Sequence, residues 1–241
     1  MSDVIGRRFH LLLVLACCVI GLSAQTTPVP ERKSNVTARF APTQRETAHK
    51  TESIHPSVMW LQPIRPEAAP IVIPGNFTLL QKNKMFTPHL LVVPVGSSVA
   101  FPNADPFFHN VFSLFDGRRF DLGLYEAGST RGVVFSREGI SYIFCNIHSE
   151  MSAVVIALST PYFGLADPQG GFHLKDVPPG DYELHVWTEG QKQSSLDRLS
   201  RRVHIAADST DIGEIGASLP DQQKHLNKFG RPYEPDSHPI Y

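Results

Sequence analysis

Phe144-Cys145-Asn146-Ile147-His148-Ser149-Glu150-Met151 decides how this chain is read. The pattern Cys-x2-His-x2-Met puts a thiol, an imidazole and a thioether within seven residues. The run Ile140 to Phe144 before it and Ala153 to Leu158 after it both have strand composition, so the three donors share one tight loop between two β-strands. A second imidazole, His109, stands in Phe107-Phe108-His109-Asn110-Val111-Phe112, just ahead of another strand. Two rigid strands can thus bring His109, Cys145, His148 and Met151 to one end of a β-sandwich.

Those donor types point to a metal that changes charge. Thiolate and thioether suit Cu(I), imidazole serves both Cu(I) and Cu(II), and two His, one Cys and a weak axial Met form a blue-copper set. The expected cofactor is one type-1 copper, held by His109, Cys145, His148 and Met151. The bland alternative makes Cys145 a small buried hydrophobe, His148 an exposed loop residue and Met151 core. Around the set, Asn110 is expected to tie the two ligand loops together. Phe107, Phe108, Phe112 and Phe144 are expected to keep water off the thiolate. The other histidines read differently: His89 at a strand start, His173, His185 and His204 on solvated strand faces, His225 and His238 in the tail.

Nucleophilic catalysis has no support, because no Ser sits in a Gly-x-Ser-x-Gly elbow and no His-x-His pair exists for a larger copper cluster. The chain is therefore expected not to be an enzyme but an exported carrier of single electrons between redox partners. Two alternatives stand beside it. One is a copper-binding or delivery module, which would want exchangeable, Met-rich ligands. The other is a metal-free β-sandwich interaction module using Trp60 or Trp187 as a platform, although their strand positions place both in the core. The redox partner is expected to dock at the edge of His148 and the apolar surface near Phe107 and Ile147, and the chain to be a monomer.

Residues 1–24 read as a signal peptide, with Arg7 and Arg8 ahead of an apolar run from Phe9 to Leu22 and small residues up to Ala24. An uncleaved anchor, a lipobox at Val14-Leu15-Ala16-Cys17 and a twin-arginine signal are the open alternatives. Cleavage would remove Cys17 and Cys18, leave no membrane span, and take the formal charge from −1 to −2. Cys145 would then be a lone thiol in a periplasmic or otherwise exported protein. Such a thiol is a liability unless buried or bound to metal. A charge so near zero gives no electrostatic case for nucleic acid or an anionic membrane.

With 20 Pro, 17 Gly and short strand-like runs punctuated by turns, the fold class is all-β. Residues 25–53 read as a disordered linker, 54–158 as one β-sandwich domain, 159–207 as a second small β unit and 208–241 as a polar tail. In the second unit, Tyr182-Glu183-Leu184-His185-Val186-Trp187 alternates strictly, which predicts one buried face.

Pro106-Phe107-Phe108-His109-Asn110-Val111 together with Tyr142 to Met151 resembles the plastocyanin/azurin family of cupredoxins, and the short Cys-x2-His-x2-Met loop is similar to that of amicyanin. The resemblance covers about Phe77 to Leu158. It implies a Greek-key β-sandwich and copper at His109, Cys145, His148 and Met151. Gln81-Lys82-Asn83-Lys84-Met85-Phe86-Thr87-Pro88-His89, Phe101-Pro102-Asn103, Phe120 to Tyr125 and Pro161-Tyr162-Phe163 resemble exported bacterial methylamine-utilisation or plastocyanin-like proteins. In these a cupredoxin unit is merged with a carboxypeptidase-regulatory-like (transthyretin-like) unit. Gly170 to Leu174 and Val177 to Leu184 are similar to that second unit, and the segment around Val58 to Leu61 is a candidate further strand for it.

Overall fold

The computed structural model describes residues 33–42, 55–65, 71–114, 117–217 and 226–233. The signal-peptide reading of 1–24 lies outside them. All the described residues fall in one compact unit. In chain order the strands are β1 (Ser34–Pro42), β2 (Ser57–Pro63), β3 (Asn76–Thr78), β4 (Leu80–Lys82), β5 (Met85–Thr87), β6 (Leu90–Pro94), β7 (Ser98–Pro102), β8 (His109–Ser113) and β9 (Phe120–Tyr125). They continue as β10 (Thr130–Val134), β11 (Gly139–Phe144), β12 (Ser152–Leu158), β13 (Phe163–Leu165), β14 (Gly171–Val177), β15 (Gly180–Thr188), β16 (Arg201–Ile205) and β17 (Ser209–Ala217). A single helical turn, α1 (Gln193–Asp197), joins β15 to β16. The all-β expectation holds.

Four of the five sheets among the described residues stack in layers, the fifth being the β4-β5 hairpin. The outermost, β10-β7-β3, faces the five-stranded sheet β6-β12-β11-β8-β9. Val99, Phe101, Val111, Tyr125, Phe135, Ile143 and Val155 fill the space between them. β6 runs parallel to β12, and the other pairs of the five-stranded sheet are antiparallel. β6 and β7, and again β9 and β10, are neighbours in sequence that lie in opposite sheets, while β8-β9 and β11-β12 are hairpins within one sheet, a Greek-key sandwich connectivity.

The far side of the five-stranded sheet is not left to solvent. Val154, Ile156 and Leu158 pack there against Val58 and Trp187 of the third layer, β13-β2-β15-β16, and against Leu196 of α1. β12 therefore buries Ala153, Val155 and Ala157 on one face and Val154, Ile156 and Leu158 on the other. A strand covered on both faces needs no polar alternation, which explains its unbroken apolar run. The Trp187 indole N–H donates to the Tyr142 hydroxyl across this junction, 3.2 Å.

The third layer packs in turn on β14-β1-β17. Val36, Ala38, Met59, Leu61, Phe172, Leu174, Leu184 and Ile215 form that core. The predicted buried face of β15 is found there as Tyr182, Leu184 and Val186.

Several expectations change. Residues 25–53, read as a disordered linker, contain β1, which pairs with β14 and β17. The polar tail 208–241 contains β17 and a packed segment at 226–233. β2, a candidate strand for either unit, pairs with β13 and β15 in the third layer. Trp60 is only partly buried and stacks on His185, ring centroids 5.1 Å apart, so His185 is not on a solvated face.

Candidate metal centre

β11 and β12 are antiparallel neighbours, with Phe144 opposite Ser152. The chain between them must turn within Cys145–Met151. Two backbone bonds set that turn: Cys145 N–H to the Met151 carbonyl, 3.2 Å, and Met151 N–H to the His148 carbonyl, 3.1 Å. β8 lies on the other side of β11 and begins at His109, so this imidazole reaches the same end of the sandwich.

The side chains converge. Cys145 Sγ lies 3.8 Å from His109 Nδ1 and 3.7 Å from His148 Nδ1. One ligand atom from each of the three residues falls within 4.8 Å of the others, and they form the single such His/Cys/Asp/Glu group among the described residues. With the third edge no longer than 4.8 Å, the centre of this triangle lies at most about 2.4 Å from each corner, within reach of metal–imidazole and metal–thiolate bonds. The donor set thus fits a trigonal metal. His109 and Cys145 are completely buried, and His148 is 8% exposed. Met151 is also completely buried and belongs to the same apolar cluster as Cys145.

Asp105 sets the protonation of His109. The Nε2 of His109 lies 2.8 Å from Asp105 Oδ2. Burial raises the Asp105 carboxyl, but bonds from the Lys84 N–H, from His109 and from the Asn83 N–H outweigh it and hold the pKa below the ordinary carboxylate value. Burial also drives the His109 pKa down, against the opposing pull of Asp105. A neutral imidazole beside an anionic carboxylate carries its proton on Nε2 and donates it to Asp105. Its Nδ1 lone pair is left facing Cys145.

Asp105 itself is held by the β4–β5 hairpin. Asn83 and Lys84 are both in the left-handed region, φ 55° and 54°, as a two-residue turn of this type requires. Their N–H groups donate to Asp105 Oδ1 at 2.6 Å and Oδ2 at 3.0 Å. Nothing in the ligand motif signalled Asp105; its spacing four residues before His109 is the one available cue.

The expected surroundings are met in part. Phe107 lies against both imidazoles, with centroids 5.2 Å from His109 and 5.6 Å from His148. Phe108 is 45% exposed and shields little. Phe112 and Phe144 pack against each other with their rings tilted by 43°, and both are absent from the apolar cluster that contains Cys145. Asn110 does not bond the ligand loop directly; its amide N–H donates to Asp121 Oδ1, 2.7 Å. A bulge in β9 makes room for this, with Gly123 at φ +68° and its N–H also on Asp121. The remaining strand histidines each meet a carboxylate outside any three-residue group: His89 with Glu189, His173 with Asp167, His185 with Glu183 and His204 with Asp181.

No protein-family profile and no curated protein matches the chain. Solved structures do. A purple cupredoxin from Nitrosopumilus maritimus aligns at 22% identity over 34% of this chain and 98% of its own, with a TM-score of 0.31. A reduced variant of amicyanin aligns at 19% identity over 42% of this chain and 98% of its own, TM-score 0.33. A copper-containing nitrite reductase from Thermus scotoductus aligns at 23% identity over 40% of this chain and 25% of its own, TM-score 0.34.

Proposed function

We propose that this chain is an exported type-1 copper protein that carries single electrons between redox partners. The observation that supports this most is the convergence of His109 Nδ1, His148 Nδ1 and Cys145 Sγ in a dry end of the sandwich, with Asp105 fixing the His109 tautomer. Met151, buried in the same cluster, is the axial ligand in this proposal. Bound copper would supply one-electron redox chemistry through its Cu(I) and Cu(II) states.

The protein's part is to keep the donors still and water out. The Cys145 and Met151 ends of the loop are tied by their own backbone, and His109 is tied to Asp105. Phe107 excludes solvent from both imidazoles. Donors held this way move little when charge is added or removed, which favours transfer over catalysis on a substrate. Delivery of copper would call for exchangeable ligands, whereas the His109 and Cys145 side chains are completely buried. His148, with its slight exposure, would be the exit for the electron, and the partly exposed Phe107 against it, with Ile147 in the same loop, suits a weak, transient encounter.

No helix among the described residues is long and apolar enough to cross a membrane. Export by a signal peptide at 1–24 belongs to the proposal, as does kinship of the second sandwich with carboxypeptidase-regulatory units. Voltammetry of the copper-loaded protein tests the function. One reversible one-electron wave is expected, moved to lower potential by Met151→Gln because an amide oxygen favours Cu(II) over Cu(I). Absence of a reversible wave would reject electron carriage, and an unmoved wave would remove Met151 from the ligand set.

A further inference from the structure

The residues that follow two of the candidate ligands are joined by a part of the chain far away in sequence. Asn110 follows His109, and its amide donates to Asp121 Oδ1 at 2.7 Å. The other oxygen of Asp121 takes the Lys228 ammonium at 2.9 Å. The Lys228 backbone N–H donates to Asn146 Oδ1 at 3.0 Å, and Asn146 follows Cys145. Five residues on, the Tyr233 hydroxyl donates to the carbonyl oxygen of Cys145 itself, 2.7 Å. The segment carrying these contacts has internal support. Asn227 Oδ1 accepts from the N–H groups of Phe229 and Arg231, and the Asn227 and Gly230 backbones close the turn.

Asn110 Oδ1 is buried with no hydrogen-bond partner. The side chain of Asn110 thus reaches the Cys145 loop only through Asp121 and Lys228. Burial raises the Asp121 carboxyl, yet bonds from Lys228, the Gly123 N–H and Asn110 hold its pKa below the ordinary value, so the bridge is ionic at neutral pH.

We propose that Leu226–Tyr233 is a strap that holds the two ligand-bearing segments in register, with Lys228 and Tyr233 as positioning residues for the metal centre. The proposal rests on the copper reading above for its consequence, but not for its geometry. Without the Tyr233 bond, the Cys145 carbonyl loses its link to the C-terminal segment, and the loop from Cys145 to Met151 opens more often. Without the Lys228 ammonium, Asp121 leaves an uncompensated negative charge near the site, which favours Cu(II).

The test uses the full chain with Tyr233→Phe, Lys228→Met, Lys228→Arg and, as a remote charge control, Lys175→Met on the exposed face of β14. In the metal-free protein, Tyr233→Phe is expected to speed amide exchange at Asn146, Ile147 and His148 about tenfold, with exchange in β15 unchanged. In the copper-loaded protein, Tyr233→Phe and Lys228→Met are expected to release Cu(I) to bathocuproine disulfonate about tenfold faster. Lys228→Met lowers the reduction potential, Lys228→Arg restores it, and Lys175→Met leaves it in place. Unchanged exchange in metal-free Tyr233→Phe overturns the strap. Faster exchange with unchanged copper release and potential overturns its positioning role. A wild-type protein that binds copper without becoming blue would instead reject the function, and the metal-free exchange would still decide on the strap.

Discussion

Asp105→Asn removes one charge and almost no volume, so its effect isolates what the carboxylate does. In the native protein Oδ1 accepts from the Asn83 N–H, and Oδ2 accepts from the Lys84 N–H and from His109 Nε2. Every position around this carboxylate is thus a donor. An asparagine must turn its own NH2 toward one side. If it faces Asn83, two donors meet, leaving the half-buried Asn83 N–H and the buried side-chain amide without an acceptor, and the other two bonds lose their charge. If it faces Lys84 and His109, the imidazole satisfies it only by moving its proton to Nδ1, the atom that faces Cys145. A hydrogen bond to a charged group contributes about 1.5–3 kcal/mol and an unsatisfied buried donor costs about 1–3 kcal/mol, so the metal-free variant should lose about 2–4 kcal/mol. Copper affinity should fall about 10–100-fold. Urea unfolding of the metal-free protein and competition with a Cu(I) chelator measure the two. Because the Asp105 pKa is lowered by folding, its share of wild-type stability is present above the unfolded value of 3.8 and is lost as pH falls through the lowered one. The variant should lack that part of the acid limb. A variant within about 0.5 kcal/mol of wild type, with unchanged copper affinity, would refute the role given to Asp105.

Trp187→Ala should cost about 3–5 kcal/mol in urea unfolding, since the side chain is completely buried at the junction of the two sandwiches; a loss under about 1 kcal/mol would mean that junction is loose. Val36→Asp puts a charge where β1 is fully buried and should unfold the second sandwich, seen as lost near-ultraviolet dichroism of its tyrosines; an intact spectrum would return β1 to the status of a linker. His89 carries a pKa raised mainly by its bond to Glu189, against burial and with help from the Glu189 charge and the Ser152 carbonyl. Its stabilisation is therefore full below 6.5 and fades as pH rises through the raised value, and because the pair is about a third exposed it amounts to less than about 1 kcal/mol. His89→Gln should flatten the melting temperature across that window, and an unchanged slope would mean the pair does not bind the two units.

What the sequence revealed and what it concealed follow from distance along the chain. Cys145, His148 and Met151 share one loop, so their spacing alone displays the chemistry, and His109 is marked by the aromatic run before a strand. Asp105 was hidden because its meaning depends on the Asn83-Lys84 turn, which reaches it only once β4 and β5 have paired. The strap was hidden more deeply, since Tyr233 meets Cys145 across 88 residues and nothing local records it. β1 was missed although Val36, Ala38 and Phe40 alternate, because Thr, Pro, Arg, Lys and Glu around them dilute the pattern. Its partner β17 shows no clean period because the register slips near Gly213, whose φ of +80° marks the irregularity. The second layer contact was unreadable for another reason: β12 looks the same whether its outer face meets solvent, a second sheet or another protein, and only the packing of Trp187 decides.

The most direct test of the central claim is the visible absorption spectrum of the full chain titrated with Cu(II), alongside Cys145→Ser. The trigonal set of His109, Cys145 and His148 predicts one equivalent of copper and an intense thiolate-to-copper band that turns the solution blue and vanishes in the variant. A colourless wild-type complex, or a blue band that survives in Cys145→Ser, would contradict it.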